Sequence, residues 1–138
     1  MPKLPKSVQR KVAKRANICC EYCKLLSSFS PAGLTVDHIY HVSLGGTDTL
    51  ANLAWCCRSC NEHKHTAIQC TDPETDSLVL LFHPRKDKWD FHFKWDSDFS
   101  KIKGLTPTGR ATIIRLKMNN DAIVNLRKVI LGFGRPPN

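Results

Sequence analysis

An α+β fold held together by a metal site is what this chain of 138 residues predicts. Two observations carry that class. Cys20 with Cys23 and Cys57 with Cys60 form two Cys-x2-Cys pairs a few dozen residues apart, the spacing at which each pair grips one edge of a zinc tetrahedron. Short strand-patterned runs broken by glycine and proline fill the middle of the chain, while helix-patterned segments fill its two ends.

Leu4, Val8, Val12 and Ala16 recur every four residues, so Ser7 to about Ala16 is predicted as an amphipathic helix. Its polar face is basic throughout, with Lys6, Arg10, Lys11, Lys14 and Arg15. Asn17-Ile18 ends it, and Cys19 to Cys23 makes a tight knuckle. Lys24 to Gly33 is a loop by composition, with Ser27, Ser28, Ser30, Pro31 and Gly33. Leu34 to Val42 reads as a strand, Gly45-Gly46 forces a turn, and Asn52 to Cys56 offers a second short strand. A polar segment from Asn61 to Thr66 suits a helix. Asp72 to Ser77 is a turn cluster, and Leu78 to Phe82 is predicted as a short buried strand broken by Pro84 to Lys88. Trp89, Phe91, Phe93 and Trp95 alternate with Asp90, His92 and Lys94, which predicts an additional strand with its aromatic face in the core. Thr106 as cap and Pro107 in the first turn start a helix to about Met118. After Asn119-Asn120 a further helix runs to Leu131, turning Ile123, Leu126 and Ile130 inward, and Gly132, Gly134 and Pro136-Pro137 close the chain. With no repeat and no low-complexity linker, residues 1–138 are expected to form one domain.

The net charge of +9 is unevenly placed. Residues 1–24 carry seven Lys or Arg against Glu21 alone, and residues 101–138 carry eight against Asp121 alone. Between them, residues 25–71 are near neutral and residues 72–100 are acidic. Basic ends around a polar centre suggest a polyanion held by the flanks while the centre does chemistry. Arg10, Lys11, Lys14 and Arg15 at one end, and Arg110, Arg115, Lys117, Arg127 and Lys128 at the other, are the expected phosphate contacts. No apolar run reaches membrane length, and the basic start lacks the apolar stretch of a signal peptide, so no membrane partner is expected. Seven cysteines, an odd count, argue against a secreted disulfide framework and for reduced thiols on a metal, which places the chain in the cytoplasm.

For the metal, Cys20, Cys23, Cys57 and Cys60 are the natural set, and a closed four-sulfur site supplies folding energy rather than catalysis. Cys19 and Cys56 adjoin ligands and are the alternatives, while Cys70 reads as a buried thiol. A second constellation lies between the knuckles. Hydrolysis of a phosphodiester needs a base for water and a cation for the developing charge. Asp37 and His38 are adjacent on the first strand, where pleating sends neighbours to opposite faces, so a local distortion, or the backbone turn after them, has to bring both to one site. Asn61 follows the second knuckle, with His65 four residues on along the same helix face. Oxygen donors from Asp37 and Asn61 suit a hard ion such as Mg²⁺ or Mn²⁺.

From Cys20 to Lys64 the chain resembles the HNH endonuclease family in its small zinc-bound form. The resemblance rests on Cys20-x2-Cys23, Asp37-His38-Ile39, Gly45-Gly46, Asn52-Leu53, Cys57-x2-Cys60-Asn61 and Lys64. It implies a ββα-metal core over residues 20–66, around which the patterns above add an N-terminal helix, an additional β-hairpin and C-terminal helices. It also implies a DNA endonuclease, nicking or cutting both strands, in which His38 is the general base. Asp37 and Asn61 would hold one divalent ion, joined by His65 as a further ligand, and Asn52 would tie down the loop that orients His38. Arg58 and Lys64, beside the site, are expected on phosphate. The segment from His83 to Trp95 and the run Thr108 to Thr112 resemble extensions of bacterial stand-alone members, expected to serve as support and DNA contacts. Two departures matter: His41 stands where the family often has Pro, and the third signature residue is Asn61 rather than His, which favours Mg²⁺ or Mn²⁺. A non-catalytic zinc-stapled nucleic-acid-binding module is the alternative, and it needs neither Asp37 nor His38.

Overall fold

The computed structural model describes residues 4–30 and 32–134. Pro31, expected in a loop, and Pro136 and Pro137, expected to end the chain, lie outside the described residues. Helix α1 (Lys6–Arg15) begins one residue ahead of its predicted span and buries Val12 completely. Asn17 and Ile18, both at positive φ, turn the chain into the first knuckle.

Strand β1 (Leu34–His38) pairs antiparallel with β2 (Leu53–Cys57), in register from Leu34 opposite Cys57 to His38 opposite Leu53. The predicted strand to Val42 is too long. After one more bond, Ile39 N–H to the Asn52 carbonyl at 2.9 Å, the opposite chain is already a 3-10 turn and offers no ladder. The His41 side chain instead caps a 3-10 turn at Val42–Leu44, accepting from Ser43 N–H. Gly45 then takes φ 96°, and a Cβ on Gly46 would overlap the Tyr40 carbonyl, so this turn requires its two glycines. Helix α2 (Arg58–Lys64) leaves β2 without a linker.

Downstream the predictions need correction twice. β3 (Gln69–Thr71) pairs with β4 (Leu78–Leu80), and this ribbon is exposed rather than buried: Leu78 and Leu80 are 62% and 65% accessible. Among the described residues no third strand covers its outer face, and the burial falls on Leu81 and Phe82 just beyond it. Trp89 to Trp95 is one helical turn, α3 (Trp89–His92), followed by β5 (Phe93–Trp95) paired with β6 (Ile102–Gly104). The turn sets Trp89 and Phe93, four apart, on one side with rings 5.1 Å apart, and turns Phe91 out to 68% exposure. Two hairpins therefore accompany β1–β2, where one was predicted. The core assignment holds for the rest of the aromatic set: Phe82 stacks edge-on against both Tyr22 and Phe93, and Trp89 packs against Trp95.

Thr106 caps α4 (Pro107–Leu116) by accepting from Gly109 N–H at 3.0 Å, and Asn120 caps α5 (Asp121–Gly132) through Ile123 N–H. Lys117 in the left-handed region ends α4 before the predicted Met118. Ile123 is buried as predicted, and Leu126 and Ile130 are half-buried. Among the described residues no helix is long and apolar enough to cross a membrane.

The β3–β4 turn is fastened to α4 by one acid. Asp72, fully buried, accepts two bonds from the Arg110 guanidinium at 2.9 and 3.0 Å and further ones from Thr75 and the backbone of Glu74. The Arg110 fork, with these donors, holds the Asp72 carboxyl below the ordinary carboxylate range. A lowered pKa contributes stability above the ordinary carboxylate range and loses it as pH falls. Asp72→Asn should therefore lower the unfolding midpoint at neutral pH and flatten its decline between about pH 5 and 2, read by thermal melts across a pH series. A variant with the wild-type acid slope would remove Asp72 from that role.

Candidate metal centre and active site

The two knuckles meet where α2 leaves β2. The sulfurs of Cys20, Cys23, Cys57 and Cys60 all lie within 4.8 Å of one another, and all four residues are buried. Cys23 Sγ and Cys57 Sγ are 3.6 Å apart, close to the edge of about 3.8 Å that zinc–sulfur bonds of about 2.3 Å give a tetrahedron. Each knuckle points an amide at its own first sulfur, Cys23 N–H at Cys20 and Cys60 N–H at Cys57. Burial pushes the Cys20 thiol up, but hydrogen bonds from its neighbours outweigh it and bring Cys20 well below an ordinary thiol. Four sulfurs gathered around negative charge are a donor set for a soft dication, and the residues fit zinc. The alternatives do not join this group: Cys56 is buried beside it, with its thiol on the Cys57 carbonyl, and Cys19 is not among the four. Cys70, read as a buried thiol, is half-buried on β3.

On β1 the pairing is regular through His38, so the expected distortion is not there, and Asp37 and His38 leave by opposite faces. Asp37 points inward and is 3% exposed. Its Oδ2 accepts from the Tyr22 hydroxyl at 2.8 Å and lies 3.2 Å from Lys64 Nζ. Lys64, itself 2% exposed, also donates to the His38 and Ile39 carbonyls, at 3.3 and 3.0 Å. The phosphate contact expected of Lys64 is thus replaced by a buried ion pair on which its ammonium is spent. Burial holds the Asp37 carboxyl above its ordinary range, against Lys64, Tyr22 and His38, which pull it down. Its contribution to stability accordingly falls as pH rises through that raised range. As arranged, Asp37 does not fit as ligand to a divalent ion, because a cation already neutralises it and water does not reach it.

His38 is on the other face, its side chain 15% exposed. His38 Nε2 lies 2.7 Å from Asp48 Oδ1. A carboxylate only accepts, so in the neutral ring this bond puts the proton on Nε2 and the lone pair on Nδ1. Asn52 crosses the loop that carries Asp48: its amide nitrogen donates to the Tyr40 and Thr47 carbonyls and its oxygen accepts from Tyr40 N–H, all at 2.8–2.9 Å. Asn61 lies half-buried on α2, and its amide has no hydrogen-bond partner among the described residues. His65 caps the end of α2 at positive φ, exposed, with its ring stacked on His41 at 6.5 Å.

The surrounding cations divide into free and committed. Arg10, Lys11 and Lys14 are exposed on α1. Arg15 donates to the Leu50 and Leu53 carbonyls and so braces the turn that enters β2. Arg58 pairs in solvent with Glu62, one turn along α2. Of the C-terminal set, Arg115, Lys117 and Lys128 are exposed. Arg110 is held by Asp72, and Arg127 is buried, so neither serves as the phosphate contact expected of it.

Sequence reading missed Asp48, Tyr22, Glu21 and Arg85. Asp48 sits in a Gly-Thr-Asp-Thr turn where an acid signals only a turn residue, and Tyr22 is the middle of a knuckle read for its sulfurs. Glu21 accepts from Trp55 N–H and pairs with Arg85, which folds the later segment back on the first knuckle. Lys64→Met, which strands Asp37 in the interior, should destabilise by about 3–5 kcal/mol in urea titrations. Asp37→Asn combined with it should recover part of that loss. Strict additivity of the two variants would mean the pair is not coupled.

Neither a curated protein nor a solved structure matches the chain. A family model does: residues 20–67, which hold both knuckles, Asp37, His38, Asp48, Asn52, Asn61 and Lys64, match the HNH endonuclease family.

Proposed function

We propose that this chain is a DNA endonuclease that hydrolyses phosphodiester bonds, with His38 as general base and zinc at the four cysteines as the staple. In this reading β1, β2 and α2 are the ββα-metal unit, residues 1–138 act as one domain, and the motif core is 20–66. The observation that carries it is the His38–Asp48 bond of 2.7 Å within a segment that matches a nuclease family. Asp48 fixes the imidazole ring and its tautomer, and Asn52 holds the loop that delivers Asp48. The free Nδ1 takes a proton from water, and the water oxygen attacks phosphorus. The bond to the 3′ oxygen breaks, and that oxygen takes a proton from solvent, leaving 5′-phosphate and 3′-hydroxyl ends. Asn61 on α2 would offer an oxygen donor to Mg²⁺ or Mn²⁺, with His65 at the C-terminal cap of that helix as a further ligand. Asp37 would join them only if Lys64 lets go of it. One observation favours the alternative, a non-catalytic zinc-stapled module that binds nucleic acid: Asp37 is engaged in a buried pair.

Supercoiled plasmid incubated with purified protein, with and without Mg²⁺ or Mn²⁺, separates the two. Cleavage is expected, and His38→Ala should cut it by at least ~10²-fold while leaving fold, zinc and DNA affinity in place. No cleavage with any ion, together with retained DNA binding, would establish the binding module instead.

The exposed cations of α1 are proposed to lie on DNA phosphates. Arg10, Lys11 and Lys14 project within an arc of about 100° on the side away from the buried Val12. Arg15 is best left out of the test, since replacing it would also disturb Leu50 and Leu53. In a His38→Ala background, changing the other three together to Gln should weaken duplex binding with little sequence dependence. The salt slope should flatten by about 0.9 log units per decade for each phosphate that the variant no longer neutralises. An unchanged slope would make α1 a solvated face only.

A further inference from the structure

A cleft of about 620 Å³ opens between the loop that Asn52 fastens and the segment from Leu80 to His92. That volume lies within the range of small-molecule sites, roughly 300–1,000 Å³. None of His38, Asp48, Asn61 and His65 lines it, so it is separate from the site of the proposed hydrolysis, although Asn52 belongs to both. Its walls are largely apolar, with Ile68, Leu81 and Phe82 on one side and the exposed Tyr40 from the Asn52 loop. Among them stand polar groups that the nuclease reading does not use: His83, Lys86, Asp87 and His92.

Each of the two imidazoles has a settled tautomer. His83 Nδ1 accepts from the Arg85 and Lys86 amides at 3.1 and 3.2 Å, so its proton is on Nε2. Burial, with Lys86 close by, pushes the His83 pKa down and keeps that ring neutral. His92 Nδ1 lies 2.6 Å from the Thr106 hydroxyl, whose oxygen already accepts from Gly109 N–H. The hydroxyl hydrogen has no other acceptor among the described residues, so it is donated to Nδ1 and the His92 proton is on Nε2 as well. Asp87 lies by both histidines: its Oδ2 accepts from His83 N–H at 2.9 Å and is 4.0 Å from His92 Nε2, too far for a hydrogen bond. Among the described residues Asp87 Oδ1 and both Nε2–H groups have no hydrogen-bond partner, and the exposed Lys86 pairs with no acid.

Two fixed N–H donors next to a carboxylate, between apolar walls, match one kind of planar ligand. A guanine base offers adjacent N–H donors to a carboxylate and has O6 and N7 as acceptors for the donors. Adenine and cytosine present a single amino group beside acceptors, which leaves part of the carboxylate unanswered. We propose that the cleft binds a guanine base, with Asp87 on its N–H edge, His83 and His92 donating to its acceptors, and Lys86 near the nucleotide phosphate. The base comes either from a free nucleotide or from an unpaired position in a nucleic acid. In the second case the cleft, joined through Asn52 to the loop of Asp48, selects where the strand is cut, and that selection alone depends on the nuclease reading.

Calorimetric titration of the purified full chain tests it. Guanosine 5′-monophosphate should bind at least about tenfold tighter than the adenosine and cytidine monophosphates. Asp87→Asn, which keeps an acceptor for His83 N–H, should weaken it by about 10–100-fold, the effect of losing hydrogen bonds to a charged group. Lys86→Gln should weaken the monophosphate and leave guanosine itself unchanged. Oligothymidylates carrying one central dG or one central dA distinguish the sources: preference for the dG strand means an unpaired base, and preference confined to the mononucleotide means a free nucleotide, and both support the cleft. Equal affinity for the three monophosphates and for the two strands overturns the proposal, as does undiminished guanine binding in folded Asp87→Asn. If that variant does not fold, Ala67→Leu, which fills the cleft from its apolar wall, decides, and unchanged guanine binding in it overturns the proposal. Guanine binding without plasmid cleavage removes the nuclease reading alone, whereas cleavage without guanine preference removes this inference alone.

Discussion

Four thiols from two segments more than thirty residues apart share one buried volume less than 5 Å across. Sulfurs that carry negative charge repel one another at that distance, and a cation held among them would remove that repulsion. The rest of the molecule is hung on this point. The first knuckle ends α1 and presents Tyr22 and Glu21; the second starts α2 and with it Asn61 and Lys64. Tyr22 hydrogen-bonds Asp37 on β1, so the metal group, the strand and the helix are one connected unit.

Within that unit β1 divides its work between its faces. The inward residue, Asp37, ties strand to helix through Lys64, whose ammonium also collects the carbonyls of His38 and Ile39. The outward residue, His38, meets Asp48 from the loop that Asn52 fastens. One side of the strand is thus held rigid by a buried charge pair while the other presents a ring of fixed orientation near solvent.

The segments outside the family match pack back on the knuckles instead of standing apart. Arg85 pairs with Glu21, the Trp89 indole donates to the Tyr22 carbonyl at 2.8 Å, and Lys24 lies over the Trp89 ring. Phe82, Phe93 and Trp95 extend the same aromatic layer toward α5, where Arg127 closes it from beneath. A small core with three two-stranded ribbons has little sheet to bury, and aromatic side chains with polar tips supply both the burial and the hydrogen bonds that join its parts.

The sequence by itself determined the four-cysteine group, the helix that Thr106-Pro107 starts and the two strands before the second knuckle, because each is a local pattern. Two-residue cysteine spacing, Thr106-Pro107, Asn120 and the Gly45-Gly46 turn act through neighbours in the chain, and their geometry follows from bond lengths and backbone sterics. It also marked Asp37, His38, Asn52 and Asn61 as candidate site residues. Only the tertiary structure decided what those side chains meet. Asp48 is ten residues from His38 and Lys64 is twenty-seven from Asp37, and no spacing rule links either pair. The same holds for the basic residues. In the sequence Lys64, Arg110 and Arg127 are indistinguishable from Lys14 or Lys128, since all are cations on helices. Folding commits the first three to partners inside the molecule and leaves the others in water, because a charge goes inward only where acceptors from distant segments already surround it.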